Sequence, residues 1–544
     1  MKLTTAFVTI AALATIGANG QACSRNAVRK EIRSHTSAEW SRVTRVVQLL
    51  QDSGWFAWFA YVHTSNFNVI HNCELFLPFH RRFLRDFEAA GQQYDSAFAI
   101  PYWDELRDYA NPSASAVLTN AYLGGNGRSG TKCVNSGNQN GWTMTFPSNH
   151  CLQREYNGGS RINAWYSPEY MQSILSRSTK MSQLRPAFEY SLHGAVHLAL
   201  GGDMVMDWSP NDFAFWVHHA NIDRLWFVWQ MQNPAQNFWS IEGVDTANKP
   251  LNYGSKLPFY GDAIIDTMQP GYGSMCFFYD NGNTVSRKRS LDKRDERKCI
   301  PRPATQTPPL VEGVFEDVNK LPVSSDSYVK DTIVASLPEK VINKWFPTYN
   351  NVPGYSNTTD SVIPPRPDIN APVGTAPTSS EAEIYSSASA TDVDSDSASD
   401  DYSDVDDSIG ESESAGANNG GYSVVAIPTD GDFDNGNTGE EASLYSEDYK
   451  MFDTDENPDY GLDGVGPKYP MPNPFPLTPA WVKMHNMSPE EIHQHYQQAR
   501  DFVADMNLSG YQSPFAKIVQ EGNQTTQDTQ DNQDAQSSQD SVSA

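Results

Sequence analysis

The stretch Ser191–Gln230, SLHGAVHLALGGDMVMDWSPNDFAFWVHHANIDRLWFVWQ, constrains the chain more than any other. It holds four of the twelve histidines. His193 and His197 are four apart, so a helix puts both on one face. His218 and His219 open a second apolar, aromatic run at helical spacing. Between the runs, Gly201-Gly202 and Ser209-Pro210-Asn211-Asp212 supply the chemistry of a turn. Two antiparallel helices carrying three imidazoles inward make a metal site, because neutral imidazole suits Zn, Cu, Fe or Ni. The competing reading is core or surface histidines that ligate nothing. A His-x3-His pair followed by a His-His pair, among Trp and Phe, makes that reading the weaker one. His193-Gly194-Ala195-Val196-His197 lacks the Glu that a zincin carries after its first His, which argues against a metalloprotease.

A second cluster lies upstream in YVHTSNFNVIHNCELFLPFHRRFLRDFE, Tyr61 to Glu88, with His63, His71 and His80. A second trio implies a second metal. Six imidazoles with no evident carboxylate point to a pair of copper ions. HNCELFLPFHRRFL resembles the first copper motif of the tyrosinase, catechol oxidase and hemocyanin family. HGAVHLALGG and SPNDFAFWVHHANIDRLWFVWQ resemble its second, in the family's order. The resemblance covers roughly residues 23–280. It implies a mainly α fold, an antiparallel four-helix bundle that holds a dicopper site among long loops. O2 is then the co-substrate and small phenols are the substrates.

By resemblance, His63, His71 and His80 bind one copper, and His193, His197 and His219 bind the other. His218 would border the substrate entrance. Phe215 resembles the family's ring packed near the site, and Asp223 and Arg224 fit roles that orient ligands or hold the structure. Glu189 is one turn before His193; in plant-like members a Glu at this offset holds a water that helps deprotonate the phenol. A surface Glu is the alternative. Gly194 stands where members with strong monophenol hydroxylation often carry Asn, which tilts the reading toward diphenol oxidation. Many members cross-link a Cys to the second histidine of the first site, often from two residues before it. Here Cys73 comes two after His71, so a thioether, a disulfide and a free thiol all stay open. Phe213 replaces the usual Pro after the Asp of SPND. Met204, Met206 and Asp207 occupy the stretch that tends to line the substrate mouth, where an acid at Asp207 would favour amine-bearing phenols.

The formal net charge of -27 is concentrated late, with no Lys or Arg between Arg366 and Lys450. That balance disfavours nucleic acid and anionic membrane as partners. Residues 1–20 read as a secretory signal, with Lys2 as the charged region, an apolar run Ala6–Ile16 and small residues before the cleavage point. A secreted location agrees with an even set of cysteines: Cys23, Cys73, Cys133, Cys151, Cys276 and Cys299. Cys133–Cys151 is the favoured pair, and Cys23 pairs with Cys276 or Cys299. Asn357, Asn486, Asn507 and Asn523 sit in glycosylation sequons.

Composition divides the rest. A catalytic domain spans 21–285, a basic linker 286–300, a Pro-rich segment 301–377, an acidic disordered linker 378–465, a short helical segment 466–515 and a disordered tail 516–544. Thr36 with Glu39 resembles a capping box. Ile100–Asp104 reads as structural, and Tyr109–Tyr166 as loops. Lys288-Arg289 and Lys293-Arg294 are either processing sites or part of a solvated linker. The Pro-rich segment 301–377, with some apolar content as in VINKWF, folds as a small unit or lies on the catalytic domain. Ser488-Pro489-Glu490-Glu491 starts a helix whose His493 and His495 do not share a face and are not expected to be ligands. In related proenzymes a C-terminal segment covers the site, so this chain's own extension is a candidate shield. The functional expectation is a secreted polyphenol oxidase, and a hemocyanin-like oxygen binder is the alternative.

Overall fold

Capping chemistry sets the first helix. Thr36 Oγ1 accepts from Glu39 N while the Glu39 carboxylate accepts from Thr36 N, opening α1 (Ser37–Asp52), which buries Val43, Val46, Val47 and Leu50. A tight turn at Gly54 leads into α2 (Trp55–Ile70). Next comes α3 (Phe76–Gln92), with an inner stripe of Phe83, Leu84 and Phe87. Ser167 caps α4 (Pro168–Arg177). The short α5 (Met181–Ala187) runs through a π-helical turn, Phe188–His193, into α6 (Gly194–Leu200). Asp212 caps α7 (Phe213–Gln232), which is buried on every side from Phe213 to Gln230, as a helix hydrophobic all round must be.

The computed structural model describes residues 21–280, 327–349, 363–371, 373 and 470–516. The expected signal sequence, the basic linker with its dibasic pairs, the acidic segment, the tail beyond Ala516, Cys299, Asn357 and Asn523 lie outside the described residues. The described chain is helix-rich. Its strands are two small pairs, β1 (Ala27–Arg29) parallel to β4 (Phe277–Tyr279), and β2 (Thr143–Met144) antiparallel to β3 (His150–Cys151). The first pair, with the Cys23–Cys276 disulfide, joins the two ends of the 21–280 region. The second, with Cys133–Cys151, braces the long segment between α3 and α4. No described helix is long and apolar enough to cross a membrane.

A buried charge network fixes α7 against its neighbours. Asp223 accepts from Arg81 Nε of α3 at 2.5 Å, from Arg29 Nη1 of β1 at 3.2 Å and from Tyr279 OH of β4 at 2.5 Å. Arg81 also lies over the Trp226 ring at 3.6 Å. Arg154 grips the cap residue Asp212 through two bonds of 2.6 and 2.7 Å.

The C-terminal part packs on this body in two places. In the described part of the Pro-rich segment, VINKWF lies against the catalytic region. Arg177 of α4 sits over Trp345, and Tyr349 OH donates to Gln172 at 2.6 Å. The helix Pro489–Leu508, capped by Ser488, buries Ile492, Tyr496, Ala499, Phe502, Val503 and Met506, the face its periodicity marks. Phe502 packs against Tyr170 and Trp345. One sequon is corrected here: Asn507 is buried and its Nδ2 donates to Met471 O at 3.0 Å, which closes it to a glycan in the folded chain.

Asp223→Asn leaves Arg29 and Arg81 buried around a neutral amide. Chemical denaturation of the metal-free protein is expected to show a loss of about 3–5 kcal/mol. A loss under about 1 kcal/mol would show that the network does not hold α7.

Candidate dinuclear metal site

Helices α2 and α3 supply the first trio. His63 sits within α2, His71 follows its last turn, and His80 lies on α3. Their ring centroids are 5.1, 5.6 and 5.2 Å apart. Each Nδ1 faces a main-chain carbonyl: His63 to Asp207 O at 2.5 Å, His71 to Phe67 O at 3.0 Å and His80 to Phe76 O at 2.8 Å. A carbonyl only accepts, so Nδ1 carries the proton and Nε2 keeps its lone pair. Among the described residues, His63 Nε2 and His80 Nε2 have no hydrogen-bond partner.

The π-helical turn, α6 and α7 supply the second trio. The centroids of His193, His197 and His219 lie 4.5, 4.9 and 5.5 Å apart. His197 Nδ1 donates to Met204 O at 2.6 Å, and its Nε2 lies 3.3 Å from His219 Nε2. Both ring nitrogens of His193 and Nδ1 of His219 lack a partner among the described residues. The trios face each other: the His80 and His219 rings stack at 4.4 Å. Phe215 lies 4.1 Å from His219 and 5.3 Å from His63, and Phe76 lies 4.8 Å from His193 and 4.7 Å from His80. These rings line the space between the imidazoles with apolar surface.

Burial is the first cause of the low basicity of all six. It brings His63 down to about 4 and holds His71, His80, His193, His197 and His219 well below the usual histidine value; neighbouring histidines push the same way on His71, His80, His193, His197 and His219. The rings are neutral at ordinary pH. Buried lone pairs without proton donors are costly, and a cation is what satisfies them. An all-imidazole set fits copper, so the donor chemistry passes the test the motifs set.

The other expected site residues fall as follows. Glu189 is fully buried; its oxygens accept from Asn72 N at 2.8 Å and from Arg185 Nη1 at 3.1 Å, tying the turn after His71 to α5. Burial raises its pKa to about 7 although Arg185 pulls it down. His218 is fully buried beside the second trio: its Nδ1 faces Glu105 Oε1 at 3.0 Å, its Nε2 has no partner among the described residues, and it offers a ring nitrogen within 4.8 Å of those of His193, His197 and His219. Asp223 directs its hydrogen bonds to Arg29, Arg81 and Tyr279, and Arg224 pairs with Asn221 and Asp104. Both brace α7, and the ring planes of His63, His71, His80 and His197 are set by main-chain carbonyls instead. Cys73 is a free buried thiol, and burial pushes its pKa up to about 12.

Four contributors escape sequence reasoning. Glu105, beside a segment read as structural, holds His218. Leu477, Trp481 and His485 come from the C-terminal segment and cover the site. Trp481 lies 5.3 Å from His197 and 6.2 Å from His193, and His485 lies 5.1 Å from His71 and 4.7 Å from Phe67. A Cβ on Gly194 would stand 2.7 Å from Leu477 Cδ2, so the missing side chain makes room for the cover. The i, i+4 spacing of Trp481 and His485 was the available signal. His495 packs on Tyr190, away from the trios.

Two facing trios of buried imidazoles, carried by helices and free of carboxylate, define the class: a dinuclear copper protein. The family model for the common central domain of tyrosinase matches residues 53–232. A tyrosinase of Aspergillus flavus is 30% identical over 292 residues, 47% of this chain and 80% of that protein. One of Streptomyces antibioticus is 31% identical over 249 residues, 41% of this chain and 88% of that protein. A solved polyphenol oxidase of Thermothelomyces thermophila aligns with a TM-score of 0.40 and 21% identity, over 47% of this chain and 88% of that one. The chain belongs to the tyrosinase family of type 3 copper proteins, and it is a copper oxidoreductase that oxidises phenols.

The raised Glu189 pKa gives a signed pH dependence. Ionising a carboxyl whose folded pKa exceeds its unfolded value costs stability; that cost is absent below pH 4.5, grows up to about 7 and is constant above. Glu189→Gln cannot ionise. Its stability relative to the natural protein is expected to rise across that window when the metal-free forms are denatured at several pH values. A flat or falling difference would contradict this.

Proposed function

We propose that the protein is a secreted, latent polyphenol oxidase that converts o-diphenols to o-quinones with O2, with monophenol hydroxylation as a lesser activity. The observation that carries this reading is the pair of facing imidazole clusters, in which His63 Nε2, His80 Nε2, both ring nitrogens of His193 and Nδ1 of His219 have no hydrogen-bond partner among the described residues. Copper ions held by His63, His71 and His80 and by His193, His197 and His219 would supply one-electron chemistry toward O2. The chain's own residues do the rest. The carbonyls of Phe67, Phe76, Met204 and Asp207 hold Nδ1–H and so present Nε2 inward. Phe76 and Phe215 line the space with apolar surface. Gly194 offers no side-chain amide to orient a water, and Glu189 is already held by Asn72 N–H and Arg185. Both facts leave monophenol deprotonation with little help and support the diphenol reading. Quinones polymerise, so pigment or cross-linked material is the expected outcome.

Two disulfides among the described residues support export to an oxidising compartment. The C-terminal segment acts as the shield. Leu477, Trp481, Val482, Met487 and Ile492 form an apolar cluster with Tyr190 and Leu198 directly over the second trio. No disulfide among the described residues joins this segment to the catalytic part, so cleavage at a dibasic pair would let it leave. Deep burial of the site is also what an oxygen carrier needs, which keeps the hemocyanin-like reading as the alternative.

Oxygen uptake by the copper-loaded chain, before and after limited proteolysis, separates these readings. A catechol and its matching monophenol are compared side by side. The expected result is low uptake before cleavage and severalfold higher uptake after it, faster with the catechol. Equal uptake before and after contradicts the shield. Reversible O2 binding with no turnover of either phenol carries the oxygen-carrier reading instead.

A further inference from the structure

The loop between α6 and α7, residues 202–211, touches one imidazole of each trio. Its Met204 O accepts from His197 Nδ1 and its Asp207 O accepts from His63 Nδ1. A ring held by one such bond turns when the carbonyl moves, so the position of this loop decides where both Nε2 lone pairs point.

Asp203 anchors the loop. Its side chain is nearly fully buried. Oδ1 accepts from Trp208 Nε1 at 2.9 Å and pairs with His150 Nε2 at 2.8 Å, and Oδ2 accepts from Gln153 N at 2.7 Å. Because His150 Nδ1 faces Ser148 O, the ring donates from both nitrogens as the cation that the Asp203 hydrogen bond favours. Its main chain adds bonds from Asp203 N to Gln153 O and from Met206 N to Asp203 O, both 3.1 Å. His150 and Gln153 flank Cys151, which the disulfide ties to Cys133. The approach is close. At Gly201 and Gly202, both at positive φ, an added Cβ would stand 1.9 Å from Glu155 O and 2.3 Å from Gln153 O. The disulfide-closed insertion is therefore clasped to the loop by the Asp203 carboxylate, through His150 and Gln153, with Asn211 Nδ2 to Phe146 O adding another bond at 2.8 Å.

We propose that Asp203 is a positioning residue for both metals: it pins the loop to the insertion and thereby aims His63 toward one copper and His197 toward the other. The proposal rests on the assignment of the two trios as copper sites. A splint of this kind predicts that damage at the surface-side partner, His150, reaches both metals although His150 touches neither trio in the described contacts.

The test is Cu(I) binding by the full-length chain in competition with a Cu(I) chelator, with thermal melting of the metal-free forms alongside. Three variants are compared: Asp203→Asn, His150→Leu and His150→Gln. In Asp203→Asn an amide donor can meet Gln153 N–H, and the clasp loosens. His150→Leu removes one donor at a partly exposed position and leaves every residue of the loop itself unchanged. His150→Gln restores a donor. The expected result is a loss of about 10–100-fold in affinity at both sites for the first two variants, the usual scale for residues that orient ligands. Metal-free melting should be close to natural for His150→Leu, and His150→Gln should bind near the natural affinity. Unchanged affinity in His150→Leu and in any folded Asp203→Asn protein overturns the proposal while the copper assignment stands. A natural chain that binds fewer than two Cu(I) overturns the assignment itself.

Discussion

Six imidazole rings are withdrawn from water at the centre of this protein, and the rest of the structure depends on how their twelve ring nitrogens are satisfied. For His63, His71, His80 and His197 a main-chain carbonyl takes the Nδ1 proton. Two of these carbonyls, Phe67 O and Phe76 O, lie four residues before the histidine on the same stretch of helix. The helix then sets its own ligand's tautomer. The other two belong to the loop before α7. What remains includes His63 Nε2, His80 Nε2 and both ring nitrogens of His193, which no protein donor among the described residues meets, while His197 Nε2 and His219 Nε2 face each other at 3.3 Å. Each unsatisfied buried acceptor costs about 1–3 kcal/mol, so a metal is part of what stabilises the native arrangement.

Everything around the trios serves to hold helices that carry one or two rings each. α7 is the axis, and it is fixed by charge rather than by periodicity. Asp223 is shared by Arg29, Arg81 and Tyr279, and the cap residue Asp212 is gripped by Arg154. The same burial that keeps the rings neutral makes an aromatic cover favourable. Trp481 and His485 meet uncharged imidazoles, with no ion to desolvate. The cover combines this apolar area with a few hydrogen bonds, among them Asn72 Nδ2 to Asn486 O at 2.7 Å and Phe475 N to Ala164 O at 3.0 Å.

Local patterns were legible in the sequence and long-range ones were not. The spacing of His193 and His197, the Thr36–Glu39 box, the buried face of Pro489–Leu508 and the Cys133–Cys151 pair are all short-range, and each is found in the fold. The two motifs also brought six histidines together on paper, as the helices do in space. Glu105 stayed hidden because its partner His218 is 113 residues away. The carbonyls that orient the rings carry no side-chain identity, so no motif reports them. Asp223 lies one turn from His219, which invited a role toward the metal, but two arginines on other elements outcompete the ring. Gly194 read as a tuner of chemistry, and its contact with Leu477 shows a second use that only the folded tail reveals.

The central claim is that two separate trios each hold one copper. The direct measurement is the stoichiometry of copper bound by the metal-free chain, in its natural form and with His80→Ala and His197→Ala. The account predicts two equivalents for the natural chain and one for each variant, with the double variant binding none. One equivalent for the natural chain, or two for either single variant, would contradict it.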